Sequence, residues 1–322
     1  MTRKIIVSMD FLDEELKERV VKGSEELGFA PVFYDKAKEI GPEIADAEIL
    51  FGSNMQDYLK DATSMKWFCN TYAGCERYMN PEVWPKQECL FTNSSGAYGL
   101  GISEHIVMVL LMMLRRMPEY QKEMNNRNWV FYEPIRSVHG LKVTILGTGD
   151  IGTHTARSLA AMGAKVKGVR RDVTKDIDPA FESVWATEDL DKVLPDTEAL
   201  IMAVPSTSET SQILSKERIA LLPHGAYIIN VGRGAAVDQE ALIEALESGH
   251  LAGAALDVMV PEPLPQEHPL WNAKNILLTP HCSGDTALYY AREKVVDMFL
   301  ENLKLYAKGA PLKRMVDLKK GY

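Results

Sequence analysis

The 322-residue chain has little that would place it in a membrane or on a polyanion. Its longest apolar run, Ile106–Leu114, spans nine residues, and a helix needs about 20 to cross a bilayer. No membrane span is expected. The formal net charge is −9, and no basic block exceeds a few residues. Nucleic acid and anionic membrane are therefore not expected as partners, although a local cationic pocket for a small anion is compatible with an acidic body. Cysteine is scarce: Cys69, Cys75, Cys89 and Cys282 show neither metal-binding nor redox spacing. No metal site is expected, and with no signal peptide ahead of them the thiols point to a reducing, cytoplasmic setting. Internal repeats and low-complexity tracts are missing too. At this length the chain reads as two ordinary globular domains.

What is present is alternation. Strands are expected at Lys4–Ser8, Pro31–Tyr34, Ala47–Gly52 and Lys66–Asn70, with an amphipathic helix over Asp13–Leu27 closed by Gly28. Such alternation implies a parallel sheet with helices outside it. A helix starting near Gly101 carries the apolar run, with Ser103-Glu104 before it and Arg115-Arg116 after it. That order puts acid at the helix start and base at its end. A helix apolar all round must be buried on every side, between two domains or under a second subunit. A linker over 127–139 leads to Leu141. Further strands are expected at Ala199–Val204, Ala226–Val231, Leu251–Leu256 and Ile276–Thr279, and a last helix over Asp285–Ala307, ended by Pro311. The fold class is α/β, with Rossmann-like, doubly wound parallel sheets.

The most specific local signal lies between Leu141 and Arg171. A β-rich run precedes Gly147-Thr148-Gly149-Asp150-Ile151-Gly152, a helical pattern (Thr155, Leu159, Met162) follows, and a second strand ends at Val169. Gly147 allows the tight turn, Gly149 lets backbone approach a pyrophosphate, and Gly152 lets helix pack on strand. The helix N-terminus offers N–H groups and a positive dipole end to phosphate. Where an NAD-binding unit usually places Asp or Glu, this chain has Arg170 and Arg171. Two guanidiniums suit a 2′-phosphate, so NADP(H) is the expected cofactor. NAD(H) stays possible, because Asp172 could still meet a ribose hydroxyl.

Three later segments follow strands, where an open α/β sheet carries its site: Asn230-Val231-Gly232-Arg233-Gly234, Asp257 through Glu262-Pro263, and Thr279-Pro280-His281. Each alone has a dull explanation, as a capping arginine, a loop glutamate or a surface histidine. Together they give a cation, a carboxylate and an imidazole, which a hydride transfer to a ketone bearing a carboxylate would use.

At this point the chain resembles the D-2-hydroxyacid dehydrogenases over nearly its full length, most specifically from Asn93 to His281. The shared segments include Gly96 through Glu104-His105, Leu200–Pro205 with Glu209-Thr210, and Asp238-Gln-Glu-Ala-Leu. The resemblance implies that Arg233 holds the substrate carboxylate and carbonyl, and that Glu262 pairs with His281, the acid/base. It implies that Asp257 contacts the nicotinamide carboxamide, and that Val204, Pro205, Thr210, Val231 and Gly232 join the glycine loop around the cofactor. It also implies a flavodoxin-like substrate domain, residues 1–100 and 286–322, with the cofactor domain, 101–285, inserted between. A homodimer is implied, with the Ile106–Leu114 helix near its two-fold interface. The family's substrate loop corresponds here to Tyr72-Ala73-Gly74-Cys75. Many members carry Gly-x-Asp there, so Tyr72 and Cys75 alter the pocket wall and the substrate cannot be copied across.

The chemistry stands on physical grounds as well. Hydride arriving at a carbonyl carbon puts negative charge on its oxygen, and a nearby proton donor lowers the barrier. Histidine titrates near neutrality, and a carboxylate partner favours its imidazolium. Arginine grips a carboxylate with two parallel N–H bonds and polarises the ketone. The expected activity is an NADP(H)-preferring interconversion of small 2-oxoacids and D-2-hydroxyacids. Two alternatives remain open from sequence, a cofactor-sensing corepressor-like binding protein and a dehydrogenase of another small anion such as phosphite.

Overall fold

In a computed structural model, which describes residues 3–318, the strand–helix alternation resolves into two all-parallel sheets, each in its own compact unit. One unit takes the described residues up to Ala97 and those from Asp285 onward; the other is Tyr98–Gly284.

The first unit holds β1 (Arg3–Ser8), α1 (Glu14–Glu25), β2 (Phe29–Tyr34), β3 (Ile49–Gly52), β4 (Trp67–Asn70) and β5 (Leu90–Thr92), in the sheet order β2-β1-β3-β4-β5. Its inner strands β3 and β4 are buried along their whole length and β1 over most of it, as strands inside a parallel sheet are. Ile6, Leu50, Phe68 and Phe91 form one face, with Met55, Leu59 and Tyr78 packed over them. On the opposite face Phe51 and Trp67 stack on Phe299. Helix α1 starts where it does because Asp13 accepts a hydrogen bond from the Leu16 N–H at 2.9 Å, the usual N-cap bond. It is followed by Gly28 with φ +81°.

The second unit runs α2 (Gly99–Leu114), α3 (Met117–Asn125), β6 (Lys142–Leu146), α4 (Asp150–Ala161), β7 (Lys165–Arg170), β8 (Ser183–Ala186), α5 (Leu190–Val193), β9 (Ala199–Met202), α6 (Lys216–Leu221), β10 (Ala226–Asn230), α7 (Gln239–Glu247), β11 (Leu251–Leu256) and β12 (Ile276–Leu278). The seven strands lie in the order β12-β11-β10-β9-β6-β7-β8. The order reverses at β6, which pairs with β7 on one side and β9 on the other. That reversal opens a crevice at the strands' carboxyl ends, the usual ligand position. The chain then closes the first unit with α8 (Tyr289–Ala307).

Several expectations need correction. Strands β5 and β8 and helix α3 have no counterpart among the elements expected from sequence. The last helix begins at Tyr289 rather than Asp285, and α2 begins at Gly99, so Glu104 lies in its second turn and is exposed. Within a single chain α2 keeps one face open, as burial under a second subunit would require. Ile102, Ile106, Val109, Leu110 and Met113 are buried, and α2 packs on α4 and β11, whereas Met108 is 48 % exposed. Uniform hydrophobicity hid a face that this chain leaves open. No helix among the described residues is long and apolar enough to cross a membrane.

Candidate active site

The glycine loop joins β6 to α4, and two of its three glycines are required by the chain itself. Gly147 has φ +101°, and a Cβ there would lie 2.5 Å from the Ala203 carbonyl oxygen at the end of β9. At Gly152 a Cβ would come within 1.9 Å of the Gly147 carbonyl oxygen, so α4 packs on β6 only without one. Gly149 differs: a Cβ there would meet nothing within 4 Å. The chain's packing does not demand glycine at that position, whereas close approach of a pyrophosphate to the α4 N-terminus would. The residues present thus fit a dinucleotide. The other loop side chains are turned to the protein. The Asp150 carboxylate lies against Gly99 at the start of α2 and 3.5 Å from His154. The Thr148 methyl group fills the space left by Gly168, and the Ile151 carbonyl accepts from Thr155.

Strands β9 to β12 end side by side and deliver the candidate chemistry. After β9, Val204 is buried, and the Pro205 carbonyl accepts from the Thr210 hydroxyl at 2.6 Å. Thr210 also bonds Thr207, so its side chain closes its own loop. After β10, the Asn230 carboxamide clasps the turn at both ends. It accepts from the Gly232 N–H at 3.0 Å and donates to the Arg233 carbonyl at 2.9 Å. Val231 is buried and its N–H bonds the Met202 carbonyl, while Gly232 and Gly234 press against Val204 and Met259. The Arg233 guanidinium donates to the Gly232 carbonyl at 2.7 Å.

His281 and Glu262 meet directly. His281 Nδ1 lies 2.8 Å from Glu262 Oε2, with side chains 51 % and 34 % exposed. Glu262 Oε1 accepts from the Met259 N–H at 2.9 Å, which fixes the carboxylate from the other side. With Nδ1 committed to Glu262, Nε2 is the ring nitrogen left for a reacting group. His281 itself has φ +53°, an uncommon conformation for a residue with a Cβ.

Asp257 explains how that conformation is held. Only 2 % exposed, its carboxylate accepts from the Thr279 hydroxyl (2.6 Å), the Cys282 N–H (2.9 Å), the Ser283 N–H (3.1 Å) and the Ser283 hydroxyl (2.5 Å). Its backbone carbonyl accepts from the His281 N–H at 2.9 Å. Burial alone would push its carboxyl pKa up, but these donors more than offset that and hold it below the ordinary range. The four bonds use about all the lone pairs two carboxylate oxygens offer. A carboxamide contact would have to displace one of them. Behind this cluster, His105 Nε2 lies 3.5 Å from the Thr279 hydroxyl, and burial lowers its pKa against the pull of Asp257. Asn230, Thr279 and Ser283 are positioning residues that sequence reasoning did not single out. Asn230 and Thr279 stand inside the quoted motifs, which is the signal that could have found them.

Arg170, the last residue of β7, and Arg171 after it have different partners. Arg170 donates to the carbonyls of Lys175 and Asp176, pinning the loop that follows, and its Nε is buried without a partner. Arg171 is 61 % exposed and pairs with Glu209 at 3.1 Å. Asp172 accepts from the N–H and hydroxyl of Thr174, which lower its pKa.

In the first unit, β4 runs into the turn Tyr72-Ala73-Gly74-Cys75. Tyr72 and Ala73 are exposed and Cys75 is buried. None of the four cysteines is in a disulfide. Burial pushes the Cys69 thiol up to about 12 and that of Cys89 to about 11, so both stay protonated at neutral pH.

This geometry agrees with what the chain is similar to. Residues 107–283 match the family model described as D-isomer specific 2-hydroxyacid dehydrogenase, NAD binding domain. The chain is 34 % identical over 243 residues to the glyoxylate/hydroxypyruvate reductase A of Salmonella newport, covering 76 % of each protein. A D-isomer specific 2-hydroxyacid dehydrogenase family protein from Aeromonas salmonicida superposes with a TM-score of 0.87 at 30 % identity, over 99 % of this chain and 100 % of that one. An NADPH-dependent glyoxylate/hydroxypyruvate reductase from Sinorhizobium meliloti, solved with NADP and sulfate, gives 0.84 at 25 % identity, over 99 % and 100 %. With two parallel α/β units, a dinucleotide glycine loop and an imidazole–carboxylate pair at the strand ends, the chain belongs to the D-isomer specific 2-hydroxyacid dehydrogenase family.

Proposed function

We propose that this protein is an NADP(H)-preferring reductase of small 2-oxoacids of the glyoxylate and hydroxypyruvate class, forming D-2-hydroxyacids where the product is chiral. The observation that carries the reading is the 2.8 Å contact of His281 Nδ1 with Glu262. It fixes the ring and leaves Nε2 to give a proton. The cofactor, held at the glycine loop and the α4 N-terminus, supplies hydride from nicotinamide C4 to the carbonyl carbon. His281 protonates the carbonyl oxygen as the C–O π bond opens, and solvent returns the proton to the ring. Arg233 binds the oxoacid carboxylate and stabilises charge on the ketone. Within the first unit, the turn Tyr72, Ala73, Gly74, Cys75 offers backbone N–H groups to a carboxylate. Residues 1–100 with 286–322 serve as the substrate domain and 101–285 as the cofactor domain, in a cytoplasmic homodimer.

The test is NADPH consumption across a panel of 2-oxoacids with wild type and His281→Ala. General acid catalysis is typically worth about 10²- to 10⁴-fold. Turnover of glyoxylate should fall by at least about 100-fold in the variant, while NADPH titrates it with unchanged affinity. Hydroxypyruvate should yield D-glycerate. A variant that retains wild-type turnover removes His281 from the reaction.

A further inference from the structure

We propose that Asn70 and Asn93 are positioning residues for the oxoacid's carboxylate: two buried carboxamides that turn the carbonyls of residues 72–74 inward and thereby aim the turn's N–H groups outward. The inference rests on reading that turn as a carboxylate receiver. Asn70 ends β4 and is 1 % exposed; Asn93 follows β5 and is 7 % exposed. Asn70 Nδ2 donates to the Tyr72 carbonyl at 3.0 Å and to the Gly74 carbonyl at 2.9 Å. Asn93 Nδ2 donates to the carbonyl between them, Ala73, at 2.8 Å. The Ser94 N–H adds a second bond to Tyr72 at 3.2 Å. Three consecutive carbonyls are therefore fixed on one side of the turn.

A trans peptide plane carries its C=O and its N–H in opposite directions. Turning the Tyr72 and Ala73 carbonyls inward turns the N–H groups of Ala73 and Gly74 outward. No described residue accepts a hydrogen bond from either. Successive N–H groups facing one way form an anion-binding concavity, and here the amides create it from behind. The orientation of the Asn93 amide is set by its Oδ1, which accepts from the Ser95 N–H at 3.2 Å. Asn70 Oδ1 is buried with no partner. Buried polar atoms are rarely left so; here, committing both Nδ2 hydrogens to the turn leaves the oxygen of the same carboxamide orphaned.

Asn70→Asp and Asn93→Asp keep the shape but replace the donor with an anionic acceptor facing carbonyl oxygens. The experiment compares kcat/KM for glyoxylate with that for methyl glyoxylate, which keeps the aldehyde and masks the carboxylate. The acid-to-ester ratio should fall by about 10-fold or more in either variant, the scale of one charge-assisted hydrogen bond. The loss should appear in KM for glyoxylate, with KM for NADPH unmoved. Should an Asp variant fail to fold, Asn93→Ala, which releases the Ala73 carbonyl together with the Cys75 thiol and the Ser95 N–H but leaves the Asn70 bonds in place, carries the same comparison. Equal losses on acid and ester, or an unchanged ratio in a folded variant, would overturn the proposal while leaving the reductase reading intact. A wild type that reduces no oxoacid defeats that reading, and this inference with it.

Discussion

Arg170 and Arg171 are neighbours in sequence, but their guanidiniums have different partners, and that difference decides which one can meet a 2′-phosphate. Arg170 is held by the carbonyls of Lys175 and Asp176 and shapes the loop after β7. Arg171 pairs across the surface with Glu209, both side chains being more than half exposed. Exposed pairs of this kind contribute about 0–1 kcal/mol, so a doubly charged phosphate can take the place of Glu209. Arg171→Ala should reduce the NADPH-over-NADH ratio of kcat/KM by about 10-fold, an effect that shrinks with added salt. Arg170→Ala should change the ratio less and show instead as faster amide exchange over residues 172–176. Equal effects of the two substitutions on the ratio would restore the matched fork expected from sequence.

At the scale of elements, the β6–α4 junction separates what the fold needs from what the cofactor needs. A methyl group at Gly152 meets the Gly147 carbonyl and Ile145, and neither is the far end of a flexible chain. Gly152→Ala should push α4 off β6, at a cost of about 1–3 kcal/mol for overpacking, and weaken NADPH binding as the helix N-terminus shifts. Gly149→Ala has open space before it, so its melting temperature should hold while its KM for NADPH rises. Melts and fluorescence titrations of the two variants would separate these effects, and a destabilised Gly149→Ala would contradict the division. The strands not expected from sequence, β5 and β8, lie at sheet edges. They are short, and Leu90 and Trp185 on them are exposed. Edge strands bury little, so they lack the apolar run by which β3, β4 and β11 announce themselves.

For the whole molecule, the first unit is built from both ends of the chain, and Glu48 joins them. Its carboxylate accepts from Arg3 at 2.8 and 3.1 Å and from the Tyr306 hydroxyl at 2.9 Å. The Arg3 hydrogen bond is the main reason its pKa lies below the ordinary value of 4.5, against the opposing effect of burial. A depressed carboxyl stabilises the fold above its unfolded pKa, and that contribution is lost as pH falls through the folded value. Glu48→Gln should therefore melt earlier than wild type at pH 7, with the gap closing as the pH is taken below 4.5. A gap that stays constant with pH would mean the carboxylate's charge is not what matters. The open face of α2 makes a second prediction at this scale. Met108 is 48 % exposed, and Trp129 and Phe131, on the loop after α3, are 85 % and 80 % exposed. Apolar surface of this kind marks an interface, so the protein should sediment near twice 36.0 kDa. A 36.0 kDa species at micromolar concentration would refute the homodimer.

The sequence alone determined the α/β alternation, the glycine loop and the residue types Arg233, Glu262 and His281, because hydrophobic period and turn chemistry are local properties of a chain. It also showed that an arginine stands where a ribose-binding acid is usual. Only the tertiary structure decided which groups those side chains answer to. Arg170 turned to its own loop, Asp257 was saturated by four donors from the 279–283 turn, and Asn70 and Asn93 took hold of the 72–74 carbonyls. Such partners are set by strand order and by carbonyl direction at strand ends, which depend on contacts between residues far apart in the chain. Periodicity carries no record of them.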